Sequence, residues 1–201
     1  MVRILESMEE YARVNNVPIM MKDGIDFLTN YIKENNVKNI LEIGSAIGYS
    51  AIRMALVSDD INVTTIERDD VRYNEAIKNI KEANLEKRIN IIHSDAFDVE
   101  LDSKFDLIFI DAAKAQYIKF FEKFKNNLSD EGVIVSDNLK FHGLVDTTEH
   151  IESRNVRQLV RKLKNYVEFL ESNEEFDTRF YDLGDGVAVS KRRKQLKKND
   201  L

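Results

Sequence analysis

The sequence predicts an α/β fold: a mostly parallel seven-stranded sheet with helices on both faces and an antiparallel C-terminal hairpin. Three observations predict it. Short apolar runs alternate with longer segments of helical period along the chain. One run, Phe105 to Ile110, is almost continuously apolar, as a strand covered on both faces should be. The last two runs flank Gly184-Asp185-Gly186, a hairpin-turn sequence.

Each element follows in order. Ile25 to Asn35 reads as a helix, with Phe27, Leu28, Tyr31 and Ile32 on one face. Asn39 to Ile43 is a short strand, Tyr49 to Val57 a helix, and Asn62 to Ile66 a strand rich in Val, Ile and Thr. Val71 to Ala83 is a helix that turns Ala76, Ile77 and Ile80 to a core. Ile89 to Ile92 and Phe105 to Ile110 are strands, Ile118 to Asn127 a helix, and Gly132 to Ser136 a strand. Asn155 to Leu170 is a long helix, and Thr178 to Leu183 and Val187 to Lys191 are the hairpin. Near the N-terminus, Ile4, Leu5, Met8, Tyr11 and Val14 form an apolar stripe. That stripe packs on its own domain or on a partner copy, and a homodimer is expected.

Composition bounds the function. A chain of 201 residues with 43% hydrophobic content makes one domain over 1–201, with an N-terminal helix within 1–18 and a basic tail over 192–201. There is no cysteine, so no disulfide framework and no thiolate site. Met1 to Asn16 is charged throughout, and no apolar run approaches the roughly 20 residues of a membrane span. A cytoplasmic protein without a membrane partner is expected. The net charge of −6 argues against a generally basic nucleic-acid coat, yet six of the residues from Lys191 to Lys198 are Lys or Arg. The plain reading of that run is a solvated, frayed tail.

In such sheets ligands bind at the carboxyl ends of the strands. After the first strand comes Glu42-Ile43-Gly44-Ser45-Ala46-Ile47-Gly48-Tyr49-Ser50, whose two glycines let the backbone turn tightly against a ligand. It is not the three-glycine dinucleotide fingerprint. After the second strand comes Glu67, suited to the hydroxyls of a ribose, and after the third Asp95-Ala96, suited to an adenine edge. Taken singly, the glycine pair is also an ordinary turn and Glu67 a solvated acid. In sequence at successive strand ends they describe a pocket for a nucleoside without a pyrophosphate.

Two further strands end in Asp111 and in Asp137-Asn138. Adjacent parallel strands would bring these side chains together as a hard all-oxygen set. That set is right for Mg²⁺, and Mn²⁺ or Ca²⁺ also suit it. By itself Asp137-Asn138 is equally a turn cap. Lys114 follows Asp111 by three residues, either as a general base beside a metal or as an ordinary solvated lysine. His93 ends a strand and is read as structural, while His142, in the loop after the metal motif, is a candidate for touching the acceptor.

LEIGSAIGYSA, FIDAAK and SDN resemble motifs of the catechol and caffeoyl-coenzyme A O-methyltransferases, and the likeness runs from PIM near Pro18 to the final hairpin. The resemblance implies a Rossmann-like class I methyltransferase fold with S-adenosylmethionine in the pocket. Met20 would then supply a backbone contact, Ser50 would meet the methionine carboxylate, and Glu67 would hold the ribose. Asp95 and Ala96 would meet the adenine, and Asp111 would lie near the methionine ammonium. Glu42 and Gly44 belong to the same cofactor set. The resemblance also makes Asp111, Asp137 and Asn138 the metal ligands and Lys114 the catalytic base.

Any acceptor must then offer two neighbouring oxygens. Catechols do, and so does 5-hydroxyuridine. VPIMMKDG, IERDD and DAAKAQY are most similar to the bacterial branch that methylates 5-hydroxyuridine in tRNA. The basic tail, with Arg154, Arg157, Arg161 and Lys162 upstream, offers cations for phosphates. The alternatives are a small-catechol methyltransferase and a non-catalytic S-adenosylmethionine-binding protein.

Overall fold

The computed structural model describes residues 2–140, 143–145 and 152–194. His142 and the last part of the basic run, 195–201, lie outside the described residues. The order of elements is α1 (Val2–Asn15), α2 (Lys22–Glu34), β1 (Asn39–Ile43), α3 (Tyr49–Ala55), β2 (Asn62–Glu67), α4 (Asp70–Glu82) and β3 (Ile89–His93). There follow β4 (Phe105–Ile110), α5 (Tyr117–Phe124), β5 (Leu128–Ser136), α6 (Arg154–Glu171), β6 (Phe176–Tyr181) and β7 (Val187–Arg192). Short 3₁₀ turns at Lys114–Gln116 and Lys125–Asn127 bracket α5.

The seven strands form one sheet in the order β3-β2-β1-β4-β5-β7-β6. Only β7 runs against the rest, antiparallel to both β5 and β6. The side-chain period of two sorts each strand between two cores. Leu107, Phe109, Val133 and Val135 face α1 to α4. Ile108, Ile110 and Ile134 face α5 and α6. Both faces are covered, which is why β4 is apolar at nearly every position.

Local chemistry sets the ends of the elements. The Asp69 carboxylate caps α4 by accepting from the Arg72 amide at 2.9 Å, and Ser153 does the same for α6 through Val156. Asp106 accepts from the amides of Lys38 and Asn39 at 3.1 and 2.9 Å, fixing the start of β1 against β4. α6 buries Val160, Leu163, Tyr166 and Leu170 along one face.

The structure extends several elements. β5 begins at Leu128, because Leu128 pairs with Phe105 before a register shift brings Leu107 opposite Val133. The polar Ser129-Asp130-Glu131 stretch hid that extension. In α1, Met8 is buried, and Ile4, Leu5 and Tyr11 pack against the core of their own chain, whereas Val14 is exposed. The predicted basic tail is structured at its start, since Lys191 and Arg192 belong to β7. Lys191 and Lys194 pair with Glu131 at 2.8 and 3.3 Å, and Arg192 pairs with Glu175. Among the described residues no helix is long and apolar enough to cross a membrane.

Candidate active site

A cavity of about 690 Å³ opens over the carboxyl ends of the strands. Its floor begins at the β1–α3 turn. Gly44 there has φ +97°, and a Cβ on it would stand 2.3 Å from the Asp111 carbonyl oxygen. Only glycine lets this turn pass so close to the end of β4. The turn is tied to β2 by the Gly44 and Ser45 amides, which both donate to the Ile66 carbonyl.

Glu67 locks the same turn from the side. One oxygen accepts from the Ala46 amide at 2.8 Å, and the other from the amides of Arg68 and Asp69, each at 2.9 Å. Ala46 holds a positive φ of 44°, so this bond stabilises a backbone shape that L-residues resist. Three of the carboxylate's roughly four acceptor positions are thus taken, which leaves one on the oxygen facing Ala46.

Met20, Gly44, Ser50, Glu67, Asp95 and Ala96 all line the cavity. Glu42 does not. It lies beneath the floor, fully buried, where Ser50 donates to one oxygen and Thr65 to the other at 2.5 Å. Burial pushes its carboxyl up to about 7 against the pull of those two hydroxyls. Asp95 is held the other way. Its oxygens accept from the Phe97 amide at 2.9 Å and from Arg68 at 3.1 Å, so it titrates below the usual carboxylate range.

On the opposite wall, β4 and β5 are in register through Ile110 and Ser136, so Asp111 and Asp137 leave adjacent strands side by side. Asn138 follows with φ +66°, and its Oδ1 is buried without a hydrogen-bond partner. Burial raises both carboxyls, and the charge of Asp111 raises Asp137 further, although Lys114 pulls both down. The Tyr117 hydroxyl donates to the Asp137 carbonyl at 3.1 Å and holds this corner from behind. Lys114 lines the cavity from its 3₁₀ turn. Among the described residues no three His, Cys, Asp or Glu side chains converge as a metal group. The oxygen set is therefore two carboxylates and one amide.

The sequence reading missed three contributors. Asp185, read only as a turn residue, is buried at the cavity edge, where its charge helps to raise Asp137. Phe97 and Phe120 stack at 4.8 Å between centroids and line the cavity beside Asp95. An aspartate between two glycines was the available signal for Asp185; nothing local marked the phenylalanines. His93 lies outside the cavity, stacked on Tyr73 at 4.2 Å and paired with Asp70 at 3.0 Å.

A sheet in this order, with a polar cavity at its strand ends, is the Rossmann-like methyltransferase fold. The chain belongs to the O-methyltransferase family, which it matches over residues 2–193. It is 30% identical over 193 residues to a flavonoid 3',5'-methyltransferase of Vitis vinifera, covering 91% of this chain and 81% of that one. A Staphylococcus aureus crystal structure, described provisionally as a caffeoyl-CoA O-methyltransferase, shares 42% identity. It superposes with a TM-score of 0.89 over 94% of this chain and 92% of that one. An O-methyltransferase from Bacillus cereus, solved in complex with SAH, is 26% identical with a TM-score of 0.80, over 95% of this chain and 91% of that one.

Proposed function

We propose that this enzyme transfers a methyl group from S-adenosylmethionine to an oxygen of an acceptor with two neighbouring oxygens, assisted by a divalent cation. The observation that carries the reading is the corner formed by Asp111, Asp137 and Asn138. The two crowded carboxylates titrate high despite the nearby Lys114, and the buried amide oxygen has no partner. An isolated buried acceptor costs free energy, and a hard cation would satisfy all three groups at once. The residues present therefore fit Mg²⁺, with Mn²⁺ or Ca²⁺ as substitutes. When bound there, the cation would neutralise the carboxylates and lower the pKa of an acceptor hydroxyl.

The chain's own residues do the rest. Glu67 offers its remaining acceptor position to a ribose hydroxyl, and Asp95 with Ala96 and Phe97 forms a slot for the adenine edge. Ser50 and the Gly44 turn bound the methionine end. Lys114, which lines the same cavity, receives the acceptor's proton at Nζ as its neutral amine. The freed oxygen then takes the methyl carbon as the carbon–sulfur bond breaks and its electrons pass to sulfur. The donor is already activated, so holding the two reactants in line is the protein's main contribution.

For the acceptor we infer 5-hydroxyuridine at the wobble position of tRNA, converted to 5-methoxyuridine. Its 5-hydroxyl lies beside the O4 carbonyl, which meets the vicinal requirement, and VPIMMKDG, IERDD and DAAKAQY favour that branch. The second reading is a small catechol, favoured by the flavonoid activity in the name of the Vitis vinifera relative. The test is purified enzyme assayed on tRNA bearing 5-hydroxyuridine and on a simple catechol, each with and without chelator. Methylation of the tRNA that stops with chelator supports the reading. Efficient catechol methylation with the tRNA ignored replaces the acceptor, and full turnover under chelator removes the cation.

A further inference from the structure

The run Lys191 to Lys194 was the sequence's candidate for phosphate contacts, but three of its four cations are already engaged by Glu131 and Glu175. A second concentration of positive charge lies on α6. Arg154, Arg157, Arg161 and Lys164 recur at intervals of three and four residues, so they share one exposed face, with Lys162 beside them. Ten residues of helix rise about 15 Å, which about four nucleotides cover at roughly 3.4 Å each. Arg157 donates to the Glu152 carbonyl at 2.7 Å. Among the described residues, no ion pair or hydrogen bond engages Arg154, Arg161, Lys162 or Lys164.

This charge is placed against the helix's own interest. A helix favours acids in its first turn and cations in its last. In α6 the first turn has no acid and the last no base, and Glu168 and Glu171 sit at the carboxyl end. Like charges three and four residues apart also repel. A merely solvated face would mix signs, as Glu75 and Lys78 do on α4. In a chain of net charge −6, five cations and no acid between 154 and 164 point to an anionic partner.

The helix that carries this face packs beside the acceptor side of the cavity. α6 packs on the Lys114–Gln116 turn, and its Tyr166 hydroxyl is 2.6 Å from the Ser136 hydroxyl, one residue before Asp137. Lys164 also shares a hollow of about 500 Å³ with Lys140, Tyr181 and the exposed Phe180, just past Asn138. The exposed Phe180 ring beside Lys164 suits a single strand whose base stacks while its phosphate is held.

We propose that the exposed face of α6, through Arg154, Arg157, Arg161 and Lys164, carries the backbone of an RNA whose target base enters the cavity. This rests on the RNA acceptor reading above. The test is fluorescence anisotropy of a labelled, unmodified tRNA transcript across a salt series. The triple variant R154A/R161A/K164A is compared with wild type and with K191A/R192A/K194A. The α6 variant is expected to bind about tenfold or more weakly at low salt, with the slope of log affinity against log salt reduced by about two. Cofactor binding by calorimetry is expected to be unchanged, and the variant's melting temperature equal or higher, because Arg154 opposed the dipole in the first turn and the lost charges repelled one another. Binding needs no methyl transfer, so the two readings fail separately. An altered slope with tRNA left unmethylated keeps the surface and removes the acceptor. The surface is wrong if wild type does not bind tRNA at low salt. It is also wrong if the α6 variant keeps the wild-type slope, or if it loses only binding to phosphatidylglycerol vesicles.

Discussion

Asp111 and Asp137 stand one residue past the paired Ile110 and Ser136 on neighbouring parallel strands, and burial together with the charge of the first pushes the second to a higher pKa. Two like charges held this close repel, and either a retained proton or an added positive charge relieves them. Asn138, with its buried and unpartnered Oδ1, completes the demand.

Asp137→Asn is therefore expected to act in opposite directions on stability and on function. Without added metal the variant should melt above wild type, because one member of a repelling buried pair is gone. Wild type in Mg²⁺ at a hundred times its dissociation constant should gain about 2.7 kcal/mol, and the variant should lose that gain along with activity. Thermal unfolding with and without Mg²⁺ reads both effects. An equal Mg²⁺ response in the two proteins would refute the site.

Glu42 gives the protein a pH dependence of known sign. Its folded pKa of about 7 exceeds the ordinary 4.5, so the folded state keeps a proton that the unfolded chain releases. Stability is unaffected below about pH 4.5 and falls as pH rises from there through about 7, by roughly 3 kcal/mol in all. Glu42→Gln cannot release the proton, and the Ser50 and Thr65 hydroxyls can turn to accept from its amide. The variant should match wild type near pH 4 and exceed it increasingly towards pH 8. Melting curves that stay parallel across that range would show that Glu42 is not ionised against its surroundings.

Much of this was legible in the residues. The apolar run from Phe105 to Ile110 and the short one ending at Ser136 announced buried parallel strands, and their following acids came together because those strands are neighbours. What was hidden depends on distant partners. Nothing near Lys191 says that Glu131 and Glu175 will neutralise it and its neighbours; that follows from β7 inserting between β5 and β6. Glu42 reads as a cavity acid, but the strand's alternation turns it under the floor towards Thr65. Asp185 reaches the site only because the hairpin folds back to the end of β5, where the Lys140 amide donates to its carbonyl at 2.7 Å.

Gly44 and Gly143 separate two costs of the same substitution. Both have positive φ, but a Cβ on Gly44 meets the Asp111 carbonyl at 2.3 Å, whereas one on Gly143 meets nothing within 4 Å among the described residues. Gly143→Ala should lose only the backbone preference, about 1–2 kcal/mol. Gly44→Ala should lose more than about 2 kcal/mol, because a rigid backbone must also shift. The shift moves Asp111, so the Mg²⁺-dependent rise in melting temperature should shrink as well. Denaturant unfolding of the two variants compares them directly, and equal losses would place Asp111 clear of the turn.

Glu67→Gln tests the cofactor end without emptying it. The glutamine oxygen can serve the Arg68 and Asp69 amides, but its NH₂ then faces the Ala46 amide, donor against donor. Turning the side chain over only moves the conflict, because there are donors on both sides. The bond that holds Ala46 at positive φ is lost either way, and so is the one acceptor position left for a ribose hydroxyl. Losing a hydrogen bond to a charged acceptor costs about 1.5–3 kcal/mol, so cofactor affinity should fall by roughly 10- to 150-fold. The Mg²⁺ response should survive, because Asp111, Asp137 and Asn138 stand on the other wall. Calorimetry with S-adenosylhomocysteine measures the first effect and thermal unfolding the second. An unchanged dissociation constant would mean that Glu67 serves the turn alone and that the ribose is held elsewhere.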